Sequence, residues 1–413
     1  MAQAILGNPK LKFIKGMFYM APPPPQEKYL TIEALEDDTH IYFEKYIGGQ
    51  IWYSFDKLNW IEVVYIYERH KDEWGIIDEK YVQQNEFPIL SAGQTLYIKG
   101  TLWQGIQINE GIGRFEILTP YNLSGNCNSL IFCDDAPSYN DLTGYNSCYK
   151  GLFSGCEGLM NISHEFLPAT TLANNCYYEM FRNCTSLVNI PKLPATTLTE
   201  KCYYGMFRNC SSLVSAPALP ATTLAAACYY KIFSGTNILP DCTNIDFTSE
   251  SVVSSGGLRG LFAGTKVTDN DLYDILPINQ STGKYWLPVT TLADYCYDSM
   301  FQDCALLVTA PELPATTLVK YCYQNMFRGC TSIIKAPELP ATTLVSSCYQ
   351  SMFNGCTKLN YIKALFTTTP GTSYTTYWVD GVSSKGTFVK SRSASWNVTG
   401  DHGIPSGWTV QTA

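Results

Sequence analysis

The sequence predicts an α+β protein: an N-terminal β-sandwich-like domain, then a solenoid with one short strand and one short helix in each repeat of about 26 residues, closed by a C-terminal cap. Three observations predict it. The hexapeptide Leu-Pro-Ala-Thr-Thr-Leu begins at Leu167, Leu193, Leu219, Leu313 and Leu339, with the variant Leu-Pro-Val-Thr-Thr-Leu at Leu287. A second phrase, Cys-Tyr-x-x-Met-Phe-x-x-Cys, recurs in step with it, as from Cys176 to Cys184 and from Cys322 to Cys330. Ahead of both, short runs alternate apolar and polar residues. Tandem units at a fixed period cannot bury an apolar face alone, so they are expected to stack.

Residues 1–26 read as a leader or anchor peptide ending in Pro22-Pro23-Pro24-Pro25, a run that favours a stiff polyproline II spacer. Ile5, Leu6, Leu11, Phe13, Ile14, Phe18 and Tyr19 make it apolar for a free tail, so a docking peptide is weighed against a loose end. Lys10, Lys12 and Lys15 interrupt its apolar residues, unlike a secretory signal. Residues 27–125 read as a β-domain. Tyr29–Leu35, Thr39–Phe43, Ile61–Tyr67 and Gln94–Gly100 alternate, are rich in β-branched and aromatic types, and are separated by Gly, Asp or Asn. A small antiparallel sandwich or barrel follows from that pattern.

Residues 126–366 read as the solenoid. Phe153, Phe181, Phe207, Phe233, Phe262, Phe301, Phe327 and Phe353 mark its units, the fifth degenerate and followed by an insertion from Lys266 to Tyr285. The hexapeptide is too short and too β-branched for a helix, and its proline blocks one, so it is expected to be extended and to pair with its copies. Leu172, Cys176, Met180 and Phe181 fall at helical spacing, which predicts a helix of two to three turns. Residues 367–413 leave the pattern and carry Trp378, Trp396 and Trp408; they read as a cap over the exposed end of the array.

Hydrophobic residues make up 46% of the 413 and charged residues 15%, which argues against disorder. With a net charge of −8 and no basic block, the chain is not expected to bind nucleic acid. No run approaches the roughly 20 apolar residues of a membrane helix, so no membrane insertion is expected. All 16 cysteines lie between Cys127 and Cys356, mostly at fixed repeat positions. On a helix, Cys176 and Cys184 would stand about 12 Å apart, beyond the roughly 7 Å a disulfide spans. No CxxC or CxxH pair occurs, and Thr236 and Thr265 replace the second cysteine in two units. The thiols therefore read as core packing, with a disulfide between neighbouring turn cysteines such as Cys184 and Cys210 as the alternative. No dinucleotide-binding glycine motif, phosphate-binding loop or HExxH occurs. Asp37-Asp38 and Asp134-Asp135 read as turn acids and His164 as structural. No catalytic, cofactor-binding or metal-binding residue is assigned, and the chain reads as non-enzymatic.

What remains is surface. Thr170, Thr196, Thr222, Thr290, Thr316 and Thr342 are expected to align as a ladder, which could meet a ligand or simply pack. Asn174, Asn175, Glu179, Glu200, Lys201, Asp294, Lys320 and Gln324 differ between units and are the candidates for specificity, with drift as the plainer reading. Trp52, Trp60, Trp74 and Trp103 read mostly as core, with a sugar-stacking platform as the functional alternative.

The phrase LPATTL…CYxxMFxxCTSL…APELPATTL resembles the leucine-rich repeats of the BspA-like surface antigens found in gut Bacteroidales and in phages that infect them. YLTIEALED, AGQTLYIKG and the end from WVDGV to GIPSGWTV resemble the flanking segments of such proteins. The resemblance implies a curved leucine-rich-repeat solenoid and a role in adhesion or host recognition. Together with the missing secretion signal, it gives the functional expectation. This is a phage virion component, in a tail or fibre, made in the host cytoplasm. It binds glycan or protein on a bacterial or host cell and is anchored to virion structural proteins through residues 1–26. The alternatives are a structural spacer of the virion and a bacterial cell-surface adhesin.

Overall fold

The computed structural model describes residues 11–14, 17–20, 27–46, 48–71, 77–83, 86–102 and 111–413. The proposed Pro22–Pro25 spacer lies outside them. Before it, β1 (Leu11–Ile14) and β2 (Met17–Met20) form an antiparallel ribbon.

The next strands are β3 (Leu30–Ala34), β4 (Tyr42–Lys45), β5 (Ile51–Ser54), β6 (Ile61–Glu62), β7 (Tyr65–Lys71), β8 (Ile77–Gln83), β9 (Thr95–Gly100), β10 (Gly113–Glu116), β11 (Tyr121–Ser124) and β12 (Leu159–Ile162). Six of them form one sheet in the order β12-β11-β3-β9-β5-β6, while β10-β4 and β7-β8 are separate ribbons. The expected sandwich is therefore replaced by one main sheet with satellite ribbons. One edge of that sheet is β12, drawn from the repeat region, which pairs parallel with β11. On the sheet's inner face Leu30, Ile32, Ala34, Leu96 and Ile98 are fully buried, as the alternation requires.

The expected leucine-rich-repeat solenoid, with a strand and a helix in each unit, is not what the chain forms. The structure consists mostly of small sheets and turns. Among the described residues its α-helices are α1 (Ser129–Phe132), α2 (Glu250–Ser254) and α3 (Asp269–Ile275), besides one 3₁₀ turn over Cys133–Ser138. None occupies the Cys-Tyr-x-x-Met-Phe phrase. There the backbone turns left-handed at every fourth residue: Asn175 (φ 56°), Glu179 (49°) and Asn183 (61°), then Lys201 (53°), Gly205 (56°) and Asn209 (62°). A right-handed helix cannot pass through such residues. Alternate N–H groups instead reach the next unit. Tyr177 N–H donates to Cys202 O (3.0 Å), Glu179 to Tyr204 O (2.8 Å), Phe181 to Met206 O (3.0 Å) and Asn183 to Arg208 O (2.8 Å). The intervening N–H groups close local turns, as from Tyr178 to Asn175 O (3.1 Å) and from Met180 to Tyr177 O (3.3 Å). Each unit is thus a chain of tight turns hydrogen-bonded along its length to its neighbour. The four-residue spacing of apolar side chains imitates a helical stripe without being one.

The hexapeptides are not strands either. Their pairing is confined to isolated parallel bridges such as Thr197 with Thr223, because each proline lacks an N–H to donate. Bridges also recur on the segment between the turns and the hexapeptide, joining Thr309, Lys335 and Tyr361. The insertion supplies α3 and the ribbon of β13 (Ile278–Asn279) and β14 (Lys284–Tyr285).

Aromatic columns run through the stack. Phe115 lies on Phe153 (5.1 Å), which lies on Phe181, Phe207 and Phe233 in turn at 5.7 Å. A second run joins Phe262, Phe301, Phe327 and Phe353 at 5.4–5.8 Å. The first column begins on β10, so the N-terminal strands cover one end of the array. At the other end residues 367–413 leave the sequence pattern but keep the backbone one. Phe353 N–H donates to Trp378 O (2.8 Å), and β15 (Tyr361–Ala364), β16 (Thr387–Lys390) and β17 (Thr409–Thr412) form a parallel sheet.

Candidate functional site

The cysteines belong to the interior. All sixteen are free, and all but Cys133 are buried. The second cysteine of each phrase bonds the preceding unit. The Cys184 thiol donates to Phe153 O (3.2 Å), Cys210 to Phe181 O (3.0 Å), Cys330 to Phe301 O (3.0 Å) and Cys356 to Phe327 O (3.0 Å). The alternative Cys184–Cys210 disulfide is not formed. Thr236 and Thr265, at the same position, donate instead to Phe233 O and Phe262 O of their own units, both at 2.7 Å. Burial pushes the thiols up, Cys156 and Cys348 to about 11 and Cys202, Cys296, Cys304 and Cys356 to about 12. They are neutral at physiological pH, whereas nucleophilic or metal-ligating cysteines are thiolates.

The candidate surface residues do not converge. Thr170, Thr196, Thr222, Thr290, Thr316 and Thr342 are all exposed. They lie along the array rather than around a cavity, and Thr222 N–H donates to Thr196 O (3.0 Å). Several variable residues are engaged in holding units together. Asn174 Oδ1 accepts from Glu200 N–H (3.2 Å), and Asp294 Oδ1 accepts from Lys320 N–H (3.1 Å) in the same register. Glu179 pairs with Arg182 (3.1 Å) and Lys201 with Glu200 (2.6 Å). Gln324 is half-buried, and its carbonyl accepts from Ser299 N–H (2.8 Å). Asn175 and Lys201, with Tyr178 and Tyr204, line a shallow recess of about 320 Å³. Among the tryptophans, Trp52 is half-buried, Trp60 packs edge-on to Tyr29 (4.7 Å) beneath Lys99, and Trp74 and Trp103 lie outside the described residues.

Two further concavities lie where the sequence reading placed no site, over the segments that precede the hexapeptides. One, of about 580 Å³, is lined by His164, Lys192, Pro194, Pro217 and Pro220 among others. Its Lys192 is ion-paired with Glu165, whose carboxyl this pairing holds below its ordinary range. The second, of about 600 Å³, lies between Trp286, Glu312, Pro314, Lys335, Pro340 and Tyr361, with Lys284 and Asn279 of the β13–β14 ribbon at one end. The signal for both was present in the recurring Pro-x-x-Pro pairs Pro191/Pro194, Pro217/Pro220, Pro311/Pro314 and Pro337/Pro340. A proline offers no N–H and a ring that forces the backbone outward.

Among the described residues no group of three or more His, Cys, Asp or Glu is placed to hold a metal ion, and no helix is long and apolar enough to cross a membrane. No family model matches this chain, nor does any curated protein or solved structure.

Proposed function

We propose that this chain is a non-enzymatic recognition protein, carried on a phage particle as a tail or fibre component and binding glycan or protein on a cell surface. The resemblance to BspA-like surface antigens motivates the setting. The observation that carries the reading is the division of labour within each unit. In the regular units thiols, phenylalanines and buried tyrosines recur in the interior, while side chains outside that interior differ from unit to unit around two open grooves. The neutral, buried thiols supply no nucleophile. The test is binding of the full chain to whole bacterial cells, paired with immunodetection of the chain in purified particles. Saturable cell binding and presence in particles support the reading; absence of both sinks it.

A structural spacer in the particle is the second reading. It is favoured by Asn174 and Asp294, whose side chains bond the next unit rather than facing a ligand. Presence in particles without cell binding selects it.

A further inference from the structure

We infer that the groove between Trp286 and Tyr361 is a binding site for an acidic oligosaccharide, one whose sugar rings carry carboxylates; the inference rests on the surface-recognition reading above. Its volume of about 600 Å³ lies within the range of small-ligand sites.

The backbone of the floor is already engaged. Glu312 N–H donates to Tyr285 O (3.2 Å), Leu287 N–H to Glu312 O (3.0 Å) and Ala336 N–H to Tyr361 O (2.9 Å). The prolines on its walls have no N–H to give. A peptide strand therefore finds no ladder to extend, and recognition falls to side chains.

Those side chains suit a sugar acid. Trp286 is half-buried and, among the described residues, stacks on no other ring, so its face is open to the apolar face of a pyranose. Tyr361 offers a second ring, over which the Lys335 ammonium sits at 4.6 Å. The two carboxylates have internal partners: Glu312 accepts from Asn279 (2.8 Å) and Thr282 (3.0 Å), and Glu338 pairs with Lys363 (2.9 Å). Lys284 and Lys335 have no carboxylate partner among the described residues and are exposed. On a chain of net charge −8, this groove is lined by three lysines, Lys284, Lys335 and Lys363, against two glutamates, Glu312 and Glu338, a net charge of +1; Glu312 keeps its charge because both of its partners are neutral.

The insertion creates the difference from the other groove. The β13–β14 ribbon brings Lys284 and Asn279 to the groove's end and is fastened there by the Tyr285 hydroxyl, which donates to Thr309 O (2.5 Å). Asp269 of α3 holds the same edge, accepting from Val308 N–H (2.9 Å) and Thr309 N–H (3.1 Å). The other groove has no tryptophan in its lining, and its Lys192 is paired with Glu165.

The test is calorimetric titration of the full chain with galacturonate, glucuronate and sialylated oligosaccharides, and with the same sugars methyl-esterified. At least one acidic sugar should bind, and its ester should bind about tenfold more weakly. Lys284→Glu and Lys335→Glu should each cost about tenfold, and the loss should shrink as salt rises. Trp286→Ala should cost about tenfold at all salt concentrations. Lys192→Glu, in the other groove, should change nothing. Lys284 is exposed, so its variant keeps the test valid should Trp286→Ala fail to fold. The inference is overturned if no acidic sugar binds, if the esters bind equally well, or if both lysine variants bind as the parent does. Cell binding that survives the lysine variants would remove this site while leaving the recognition role in place.

Discussion

The regular units and the degenerate fifth unit carry the same backbone with different contents. In a regular unit such as 322–330, two cysteines, a tyrosine, a methionine and a phenylalanine fill the interior. In the fifth unit Gly257 stands for the first cysteine, Leu258 for the tyrosine and Thr265 for the second cysteine. Left-handed residues still recur at every fourth position, here as Gly256, Gly260 and Gly264. The inter-unit bonds survive, with Gly260 N–H donating to Asp298 O and Phe262 N–H to Met300 O, both at 3.0 Å. Arg259 continues the outer column of Tyr178, Tyr204 and Tyr230. Its guanidinium sits 5.4 Å from Tyr230 and 4.9 Å from Tyr295, and its Nε donates to Asp298 (2.6 Å). Burial raises the Asp298 carboxyl, and Arg259 opposes that shift. What the fifth unit gives up is stacking: among the described residues no ring contact joins Phe233 to Phe262. The comparison teaches that the turn backbone and its cross-unit bonds define the unit, while the sulfur and phenyl groups add cohesion that one unit can lack.

The largest effect should come from alkali, which attacks the regular units and spares the fifth. An unfolded thiol loses its proton near 9.0, whereas burial holds the proton of Cys156 to about 11 and those of Cys304 and Cys356 to about 12. Between those limits the unfolded chain binds fewer protons than the folded one. Stability is therefore complete below pH 9 and falls as pH rises towards 12, by about 1.4 kcal/mol per thiol per pH unit. Urea melts across that window should show a midpoint falling steeply above pH 9. A flat midpoint would mean that the thiols are not buried together.

Truncating the phenyl column separates the two kinds of unit directly. Phe327→Ala and Phe207→Ala each remove a fully buried ring stacked on both sides and should cost about 3–5 kcal/mol. Phe262, stacked on one side only, should cost about 1 kcal/mol less. Equal losses at all three sites in denaturant melts would erase the distinction.

The second cysteine gives a smaller contrast. Cys330→Ala removes the thiol's bond to Phe301 O and should cost about 1–2 kcal/mol. Cys330→Thr, copying Thr265, should recover most of that, because its hydroxyl can donate to Phe327 O within its own unit. No recovery would show that the cross-unit bond, rather than a filled slot, is what matters.

The smallest effect concerns backbone strain. Ala227 is left-handed (φ 52°) at the position Gly256 holds in the fifth unit. Ala227→Gly should raise stability by about 0.5 kcal/mol, since glycine adopts this conformation without the steric penalty of a Cβ. A lower melting temperature would indicate that the lost methyl packing outweighs the strain.

By itself the sequence determined the period, many of the interior residues and the place of the insertion, because identical phrases at a fixed spacing must present identical faces to one another; it did not show that the backbone of the unit continues past Phe366, where Phe353 N–H bonds Trp378 O. It also marked the N-terminal strands at Leu30–Ala34 and Thr95–Gly100 through alternation. Secondary structure inside the unit was decided only in three dimensions. Cysteine, tyrosine, methionine and phenylalanine recur there at four-residue intervals, which suits a helix equally well. The left-handed turns at Asn175, Glu179 and Asn183 are imposed by bonds to Glu200, Tyr204 and Arg208 of the next unit, partners 25 residues away. The groove beside Trp286 was legible only in its Pro-x-x-Pro walls: its rings and lysines come from the insertion, from Trp286 just after it and from two later units, and only stacking brings them to one edge.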